Sequence, residues 1–387
     1  VSAPSDPARR PGRLGVGVVG AGRVGAVLGN ALRAAGHPVV GVSAVSQESR
    51  DRADALLPGV PVLDVPEVVR RSELVLLAVP DDALADLVHG LAETGSWQVG
   101  QIVVHTSGRY GADVLAPARA AGAIPLALHP AMTFTGTSLD LARLVGCPFA
   151  VTAPAAVLPI GQALVVEIGG EPTVLDEDAR GLYHAALAHG ANHLVVLVAQ
   201  AAQALAAAGV ADPGRMLAPL LEAALDGALR AESPGDGLTD VRPRGAGAIG
   251  ALTGPVRRGD AGTLVEHLAV LDAFAAREGA PDVASSYRVL ARAAEARALA
   301  AGLLAQDAAA RVLDALAPAV PDEQAEPDQQ PDRQDGPGQS GTSQRSEVAG
   351  IDPGAGWLRQ QSRHDDQDDD QHDEDGRAPR PDPQEDA

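Results

Sequence analysis

The chain contains no lysine: all 30 of its Lys+Arg side chains are arginine. That excludes any chemistry needing a lysine amine as proton donor, Schiff-base nucleophile or phosphate clamp. One cysteine, Cys147, excludes an intramolecular disulfide and a multi-cysteine metal site. It stands in the apolar run VGCPFAVTA and reads as a buried small side chain, so no metal centre is expected. Aromatic residues are 2% of the chain, which leaves alanine and leucine to fill the helical regions by close packing. With a net charge of −21, no nucleic-acid partner is expected.

The first residues, VSAPSDPARRPGR, are polar and lack the apolar core of an export signal, so a cytoplasmic protein is expected. The most apolar stretch, HLVVLVAQAAQALAAAGV, is interrupted by Gln200 and Gln203 and preceded by His184, His189 and Asn192. It reads as a helix buried inside a protein and not as a bilayer span.

The acidity is concentrated at one end. From Pro318 onward there are 19 Asp+Glu against six Arg, with too little apolar content to offset the entropy of ordering the segment. Residues 318–387 are therefore expected to be a disordered, solubilising tail, as are residues 1–13 at the other end. His364, His372 and their neighbouring aspartates offer metal scavenging or a basic partner as the alternative, without a defined ligand geometry.

What is present between them is an alternation of short apolar runs and helical patterns. Strands are predicted at 14–19, 39–42, 74–79, 102–105, 124–128 and 149–152, with helices at 23–35, 48–57, 83–91 and 112–121. One more helix and strand should close this domain near residue 175. From 176 to 317 the pattern is almost all helix, with segments at 178–208, 214–230, 261–277 and 283–305. The expected fold class is α/β: a Rossmann-type parallel sheet with helices on both faces (14–175), followed by an all-helical domain (176–317) that holds substrate and joins a homodimer.

The first apolar run leads into Gly20, Gly22 and Gly25, then a helical pattern and a second apolar run. G-x-G-x-x-G between a strand and a helix is the dinucleotide fingerprint. Its first glycine makes the tight turn, the second leaves room for a pyrophosphate, and the third lets helix and strand approach. Gly20, Gly22, Arg23, Val24 and Gly25 are therefore assigned to the cofactor phosphates, where the helix dipole favours negative charge.

An NAD-preferring site places an acid at the end of the second strand. Here that end reads Ser43, Ala44, Val45, Ser46. Without a carboxylate a 2′-phosphate is not repelled, and Ser46 and Arg50 are assigned to it, with Ser43 also assigned to the cofactor. NADP is thus favoured over NAD, with Glu48 the residue that would reverse the preference. Two further strand ends, Ala78-Val79-Pro80 and Thr106-Ser107-Gly108, should line the same crevice, because ligands of open parallel sheets bind outside the strands' carboxyl ends.

Six separated segments, VVGAGRVG, LAVPDDAL, HTSG, LHPAMTF, YHAALAHGANHLVVL and TGPVRRGD, together resemble a bacterial two-domain family, Rossmann-like with a C-terminal domain of unknown function 2520. The resemblance covers residues 14–304. More distantly, the first domain is similar to those of pyrroline-5-carboxylate reductase, deazaflavin-dependent NADP reductases, ketopantoate reductase and the β-hydroxyacid dehydrogenases. It implies an oxidoreductase with a nicotinamide cofactor and no settled substrate.

In the β-hydroxyacid dehydrogenases, a lysine and an asparagine one turn later on the first helix of the second domain do the proton chemistry; here Ala188 precedes Asn192 at that spacing. Histidine, which titrates near neutrality, is the available substitute. His184 and Asn192 are eight residues apart and face within about 80° of one another on a helix. His184 is assigned as proton donor and Asn192 as the group orienting substrate; a packed structural histidine is the alternative. His189 and His193 are weaker candidates on the same helix. His129, at a strand end, is assigned to substrate or carbonyl contact, against a role in holding the interdomain linker. In LTGPVRRGD, Thr253 and Arg258 are assigned to an anionic substrate, or Arg258 pairs with Asp260 and caps the next helix. The functional expectation is an NADP-dependent oxidoreductase acting on a small carbonyl or imine compound in the interdomain cleft. The alternative is a non-catalytic NADP sensor.

Overall fold

The computed structural model describes residues 13–232 and 246–317; of the predicted disordered ends, residues 1–12 and 318–387, including His364 and His372, lie outside the described residues, while Arg13 is placed, its guanidinium 2.7 Å from Glu167. Chain order begins β1 (Val16–Val19), α1 (Arg23–Ala34), β2 (Val39–Ser43), α2 (Gln47–Leu56), α3 (Val65–Arg71), β3 (Leu74–Leu77), α4 (Asp81–Glu93) and β4 (Ile102–His105). A single 3-10 turn (Ala112–Leu115) leads to α5 (Ala116–Ala120), β5 (Ile124–Pro130), α6 (Leu139–Leu144), β6 (Pro148–Thr152), α7 (Leu158–Glu167) and β7 (Glu171–Val174).

These strands form one sheet in the order β2-β1-β3-β4-β5-β6-β7. Strand side chains alternate between faces, and the packing divides accordingly. Leu74, Leu76, Ile102 and Val104 join a core with α1, α2 and α7 on one face. Val75, Leu77 and Val103 join a second core with α3, α4 and Trp97 on the other. Both faces being covered explains why the strands read as continuous apolar runs.

The sheet is not wholly parallel, as the sequence suggested. β1 to β5 are parallel to one another, but β6 runs antiparallel to β5, with His129 opposite Ala150, and β7 is parallel to β6. The chain reverses after β5, where the Ala131 amide donates to the Pro148 carbonyl at 2.9 Å. Cys147, just before β6, is buried as expected, and burial pushes its thiol pKa up.

The remaining helices are α8 (Arg180–Ala207), α9 (Pro213–Glu232), α10 (Gly254–Arg258), α11 (Ala261–Glu278), α12 (Pro281–Ala300) and α13 (Gln306–Ala315). Val256, Leu264, Leu268, Ala291, Val312 and Leu316 form the shared core of α10 to α13 and the turn after α13. The helix expected to be buried is not: in α8 only Arg180 and Gln200 are buried, while Leu182 is 78% and Val195 68% exposed. No element among the described residues covers its exposed apolar side chains. With the turn before it, α8 is the one helix among the described residues long and apolar enough to cross a membrane.

Candidate active site

Strand order reverses between β1 and β3, since the chain leaves β1 toward β2 and returns past it to β3. A crevice opens at such a switch point, at the carboxyl ends of the strands. The glycine turn follows β1 there. Gly20 has φ +95°, and a Cβ on it would lie 2.5 Å from the Ala78 carbonyl oxygen of the turn after β3. A Cβ on Gly25 would collide with the Gly20 carbonyl, so α1 packs against the turn at a distance that only glycine permits. At Gly22 a Cβ would meet nothing within 4 Å. The middle glycine therefore borders open space, as required where a pyrophosphate must approach the backbone. Gly22 is also the N-cap of α1, without a side-chain cap and with no acid in the first turn, leaving the amides of Arg23, Val24 and Gly25 directed at that space. The residues present fit a dinucleotide.

Ser43 supports the turn from below. Its hydroxyl accepts the Gly20 amide at 3.0 Å and its carbonyl accepts the Ala21 amide at 2.9 Å. Its side chain is thus engaged in building the loop and buried, not presented to a ribose. Ser46 caps α2 by accepting the Ser49 amide at 3.1 Å, and Arg50 is exposed on the next turn. Glu48 leans toward Arg52 at 3.7 Å.

Arg52 was not singled out by the sequence, yet its side chain and that of Arg23 both approach Gly136, in the loop after β5. That loop is fixed by Asp140, fully buried, whose carboxylate accepts the amides of Thr135 and Gly136, each at 2.8 Å, and the Thr135 hydroxyl at 2.9 Å. These bonds hold its pKa below the ordinary carboxylate value, against the opposing effect of burial. Two arginines from separate elements therefore converge beside the α1 N-terminus.

The turn after β4 is the floor of the second half of the crevice. His105 is fully buried; its Nε2 lies 2.8 Å from the Gly111 carbonyl and its Nδ1 accepts the Ser107 amide at 3.2 Å. This wiring needs the neutral ring with its proton on Nε2, and burial, joined by the charge of Arg180, holds the pKa at about 4. The Ser107 hydroxyl in turn accepts the amides of Arg109 and Tyr110, each at 3.2 Å. Glu177, from the segment leading into α8, accepts the Ala112 amide at 2.8 Å and caps the 3-10 turn.

Arg180 is the most informative residue that the sequence reading missed. It is 1% exposed. Its Nε donates to Thr152 Oγ1 at 2.9 Å, Nη1 to the Ser107 carbonyl at 3.2 Å, and Nη2 to the carbonyls of Ala127 and Ala150, each at 3.0 Å. One side chain thereby ties the start of α8 to β4, β5 and β6. Tyr183 and His184 follow it by three and four residues and so share its helix face. The Tyr183 hydroxyl meets His129 Nδ1 at 2.8 Å, and the rings of His129 and His184 lie 6.5 Å apart. Gly108 passes between the two histidines: a Cβ there would fall 2.9 Å from His129 Nε2 and 3.0 Å from His184 Cδ2. Burial, with Arg180 and His184 adding, lowers the His129 pKa to about 4.

The structure thus brings together Gly20, Gly22, Gly25, Ala78, Val79 and Pro80 at one strand edge, with Ser107, Gly108, His129 and His184 at the adjoining strand ends. Asn192 is exposed two turns further along α8, and His189 and His193 are exposed with their Nδ1 atoms 2.8 Å apart. Thr253 and Arg258 are not brought to His184. Thr253 lines a cavity of about 510 Å³ that also includes Gln200, His267 and Tyr287. Gln200 lies sixteen residues beyond His184, about 24 Å along α8. Arg258 is exposed, and Asp260 caps α11 through the Thr263 amide at 3.2 Å without an ion pair to Arg258 among the described residues. No group of three or more His, Cys, Asp or Glu among the described residues could hold a metal ion.

Residues 2–130 match the Rossmann-like domain family, and residues 147–294 match the domain of unknown function DUF2520. The second match takes in β6, α7 and β7 as well as α8 to α11 and most of α12. No curated protein matches the chain. Among solved structures, similarity extends to a Bacteroides fragilis protein classed provisionally as an NADP oxidoreductase, with TM-score 0.58, 21% identity and coverage of 73% of this chain and 98% of the other. A Thermotoga maritima protein follows with TM-score 0.52, 20% identity and coverage of 74% and 98%. An imine reductase from Myxococcus stipitatus, solved in complex with NADP+, gives TM-score 0.53, 18% identity and coverage of 77% and 99%. At such identities the similarity is one of fold.

Proposed function

We propose that this chain, which joins a Rossmann-like domain to DUF2520, is an NADP-dependent oxidoreductase that moves hydride to or from a small carbonyl or imine compound. The observation that carries the reading is the adjacency of the glycine turn, open at Gly22, to the His129, Tyr183 and His184 cluster around Gly108. The amides of Arg23, Val24 and Gly25 receive the pyrophosphate. Arg23, Arg50 and Arg52 meet the 2′-phosphate, with Ser46 beside them. The turns at Ala78-Val79-Pro80 and Ser107-Gly108 hold the ribose and nicotinamide end. The bound nucleotide supplies the hydride; the chain supplies orientation, exclusion of water and a proton. The B. fragilis and M. stipitatus proteins, described as an NADP oxidoreductase and as an imine reductase with NADP+, agree with this reading.

The proton comes from the ring cluster. His184 lies against Gly108 with its ring 6.5 Å from that of His129, and the Tyr183 hydroxyl paired with His129 offers a second donor beside it. Asn192, lying further along the same helix, orients substrate only in a larger assembly. A second copy of the chain supplies that assembly: it covers the exposed apolar residues of α8 and α9, and brings Thr253 and Arg258 to a crevice they do not reach within their own chain.

The test is binding and turnover with the purified chain. Calorimetry should show NADPH binding more tightly than NADH, and absorbance at the reduced-nicotinamide band should fall in the presence of a carbonyl or imine panel. His184→Ala should keep the nucleotide affinity and lose the turnover. If neither nucleotide gives a heat signal, the proposal is wrong.

A further inference from the structure

The charge beneath the crevice is fixed by an unusual burial. Arg180 lies at 1% exposure, and all four of its hydrogen bonds end on neutral oxygens, from Thr152, Ser107, Ala127 and Ala150. A buried ion without an ion-pair contact among the described residues is costly to keep, and desolvation draws its pKa down to about 10, still well above neutrality, although Tyr183 and Glu177 act on it through space in the opposite direction. The acids that face this region are elsewhere engaged or set back. Glu177, before Arg180 in the chain, is bonded to the amides of Ala112 and Asp113 at 2.8 and 3.3 Å. Asp81, in the first turn of α4, is the acid felt by both His105 and His129, yet it makes no ion pair with either ring or with Arg180 among the described residues. The nearest rings add no negative charge, and His129 and Tyr183 meet the crevice as a neutral pair.

A site with a permanent cation below, and with no carboxylate in ion-pair contact with it among the described residues, favours a reacting group that becomes negative. A carbonyl does so: as hydride reaches its carbon, the π pair moves onto oxygen. An iminium does the reverse, arriving as a cation and leaving as a neutral amine. We propose that the compound reduced here is a carbonyl whose oxygen is received by Tyr183 and His184 above Arg180, and not an iminium.

The proposal rests on the hydride-transfer reading above. Hydride brings both electrons to the carbonyl carbon, the dihydronicotinamide being oxidised as it gives them up. The oxygen takes the Tyr183 hydroxyl proton, and the phenolate recovers one from His129 Nδ1 while Nε2 takes a proton from water. The sum is one carbonyl, one hydride and one water giving one alcohol and one hydroxide, which leaves to solvent. Tyr183 acts as the donor in this scheme, and Arg180 is a positioning residue that acts through it and through His129.

The experiment is calorimetric titration of the full chain, with NADPH bound, by cyclohexanecarboxylate as an oxyanion mimic and by cyclohexylammonium as an iminium mimic. The carboxylate should bind at least tenfold more tightly, and Arg180→Gln should reduce that ratio to about threefold or less. Equal binding, tighter ammonium binding or no carboxylate binding would overturn the proposal. Because Arg180→Gln can fail to fold, nitrogen NMR of the native histidines gives an independent reading: His129 should remain neutral at pH 5, and a protonated His129 at that pH would count against the scheme. Turnover of cyclohexanone should exceed that of the ring imine 1-piperideine at least tenfold in kcat/KM; faster imine reduction would refute it. Failure to bind NADPH at all would sink the hydride-transfer reading itself, whereas NADPH binding with ammonium preferred would sink this inference alone.

Discussion

His105 is wedged between Gly111 and Ser107: its Nε2 donates to the Gly111 carbonyl at 2.8 Å while its Nδ1 accepts the Ser107 amide at 3.2 Å. Protonation would place a second N–H against an amide that already donates. The neutral ring is therefore part of the fold, and the pH dependence follows. The pKa is about 4 in the folded chain and near 6.5 when unfolded, so the unfolded state binds more protons between those values. The stabilisation is fully present above pH 6.5 and is lost as the pH falls toward 4. At full extent it is about 3 kcal/mol. His129, with the same direction and a similar value, adds to it. Thermal unfolding from pH 7.5 to 4.5 should show Tm falling with acidification, and His105→Gln should lower Tm at pH 7.5 while flattening the slope. An unchanged slope would mean that the ring is not held neutral as described.

The glycine turn makes two opposite predictions from two glycines three residues apart. Gly22 borders open space, so Gly22→Asp should leave Tm within about 2 °C of native while its carboxylate repels the phosphates and lowers NADPH affinity at least tenfold. Gly25 is pressed against the Gly20 carbonyl, so Gly25→Val should destabilise the fold itself by roughly 2 kcal/mol or more, the range of overpacked sites. Paired measurements of Tm and nucleotide binding separate the two. A Gly25→Val chain of native Tm would contradict the close helix approach.

That turn was legible in the sequence because its chemistry is local: strand, glycines and helix are contiguous, and each glycine has its own steric reason. The buried faces of β1 to β5 were legible for a similar cause. Strand direction was not, because an apolar run such as FAVT reads the same either way; only the 2.9 Å closure of Ala131 on Pro148 shows that β6 runs back. Arg180 was missed because its role exists only after three strand ends have come together around it. The signal was nevertheless there, since RGLYH places Arg180, Tyr183 and His184 at the spacing of one helix face. Thr253 and Arg258 were placed in the cleft on the strength of their chemistry, and the length of α8 separates them from it within one chain.

Cofactor preference should depend on Arg52 as well as Arg50. Arg52 approaches Gly136 together with Arg23, and Glu48 lies 3.7 Å from it on the exposed side. A charge-assisted contact to phosphate contributes about 1.5–3 kcal/mol, or roughly ten- to a hundredfold in affinity. Arg52→Ala should weaken NADPH by about tenfold or more and leave NADH within about twofold. Equal losses for both nucleotides would place Arg52 away from the 2′-phosphate.

The last prediction concerns the uncovered face of α8. Leu182, Val195 and Val196 are 78, 68 and 49% exposed, and on α9 Leu220 and Met216 are 67 and 53% exposed. Scattered apolar residues need no explanation, but a 28-residue helix with two buried residues presents a continuous patch, and large patches mark association surfaces. The residues are aliphatic and small enough for close helix contact, and Gln200 marks where the helix already has a partner, in Asp282 at 2.7 Å. Light scattering on the eluting protein should therefore give twice the 39.2 kDa chain mass. Val195→Glu would bury a charge in the interface at a cost of several kcal/mol and should shift the species toward one chain. If the assembly also completes the crevice by bringing Thr253 and Arg258 to it, as proposed above, turnover should fall with the dimer, while NADPH binding at the glycine turn should persist. A native chain eluting at single mass with full activity would remove both the interface and the need for it.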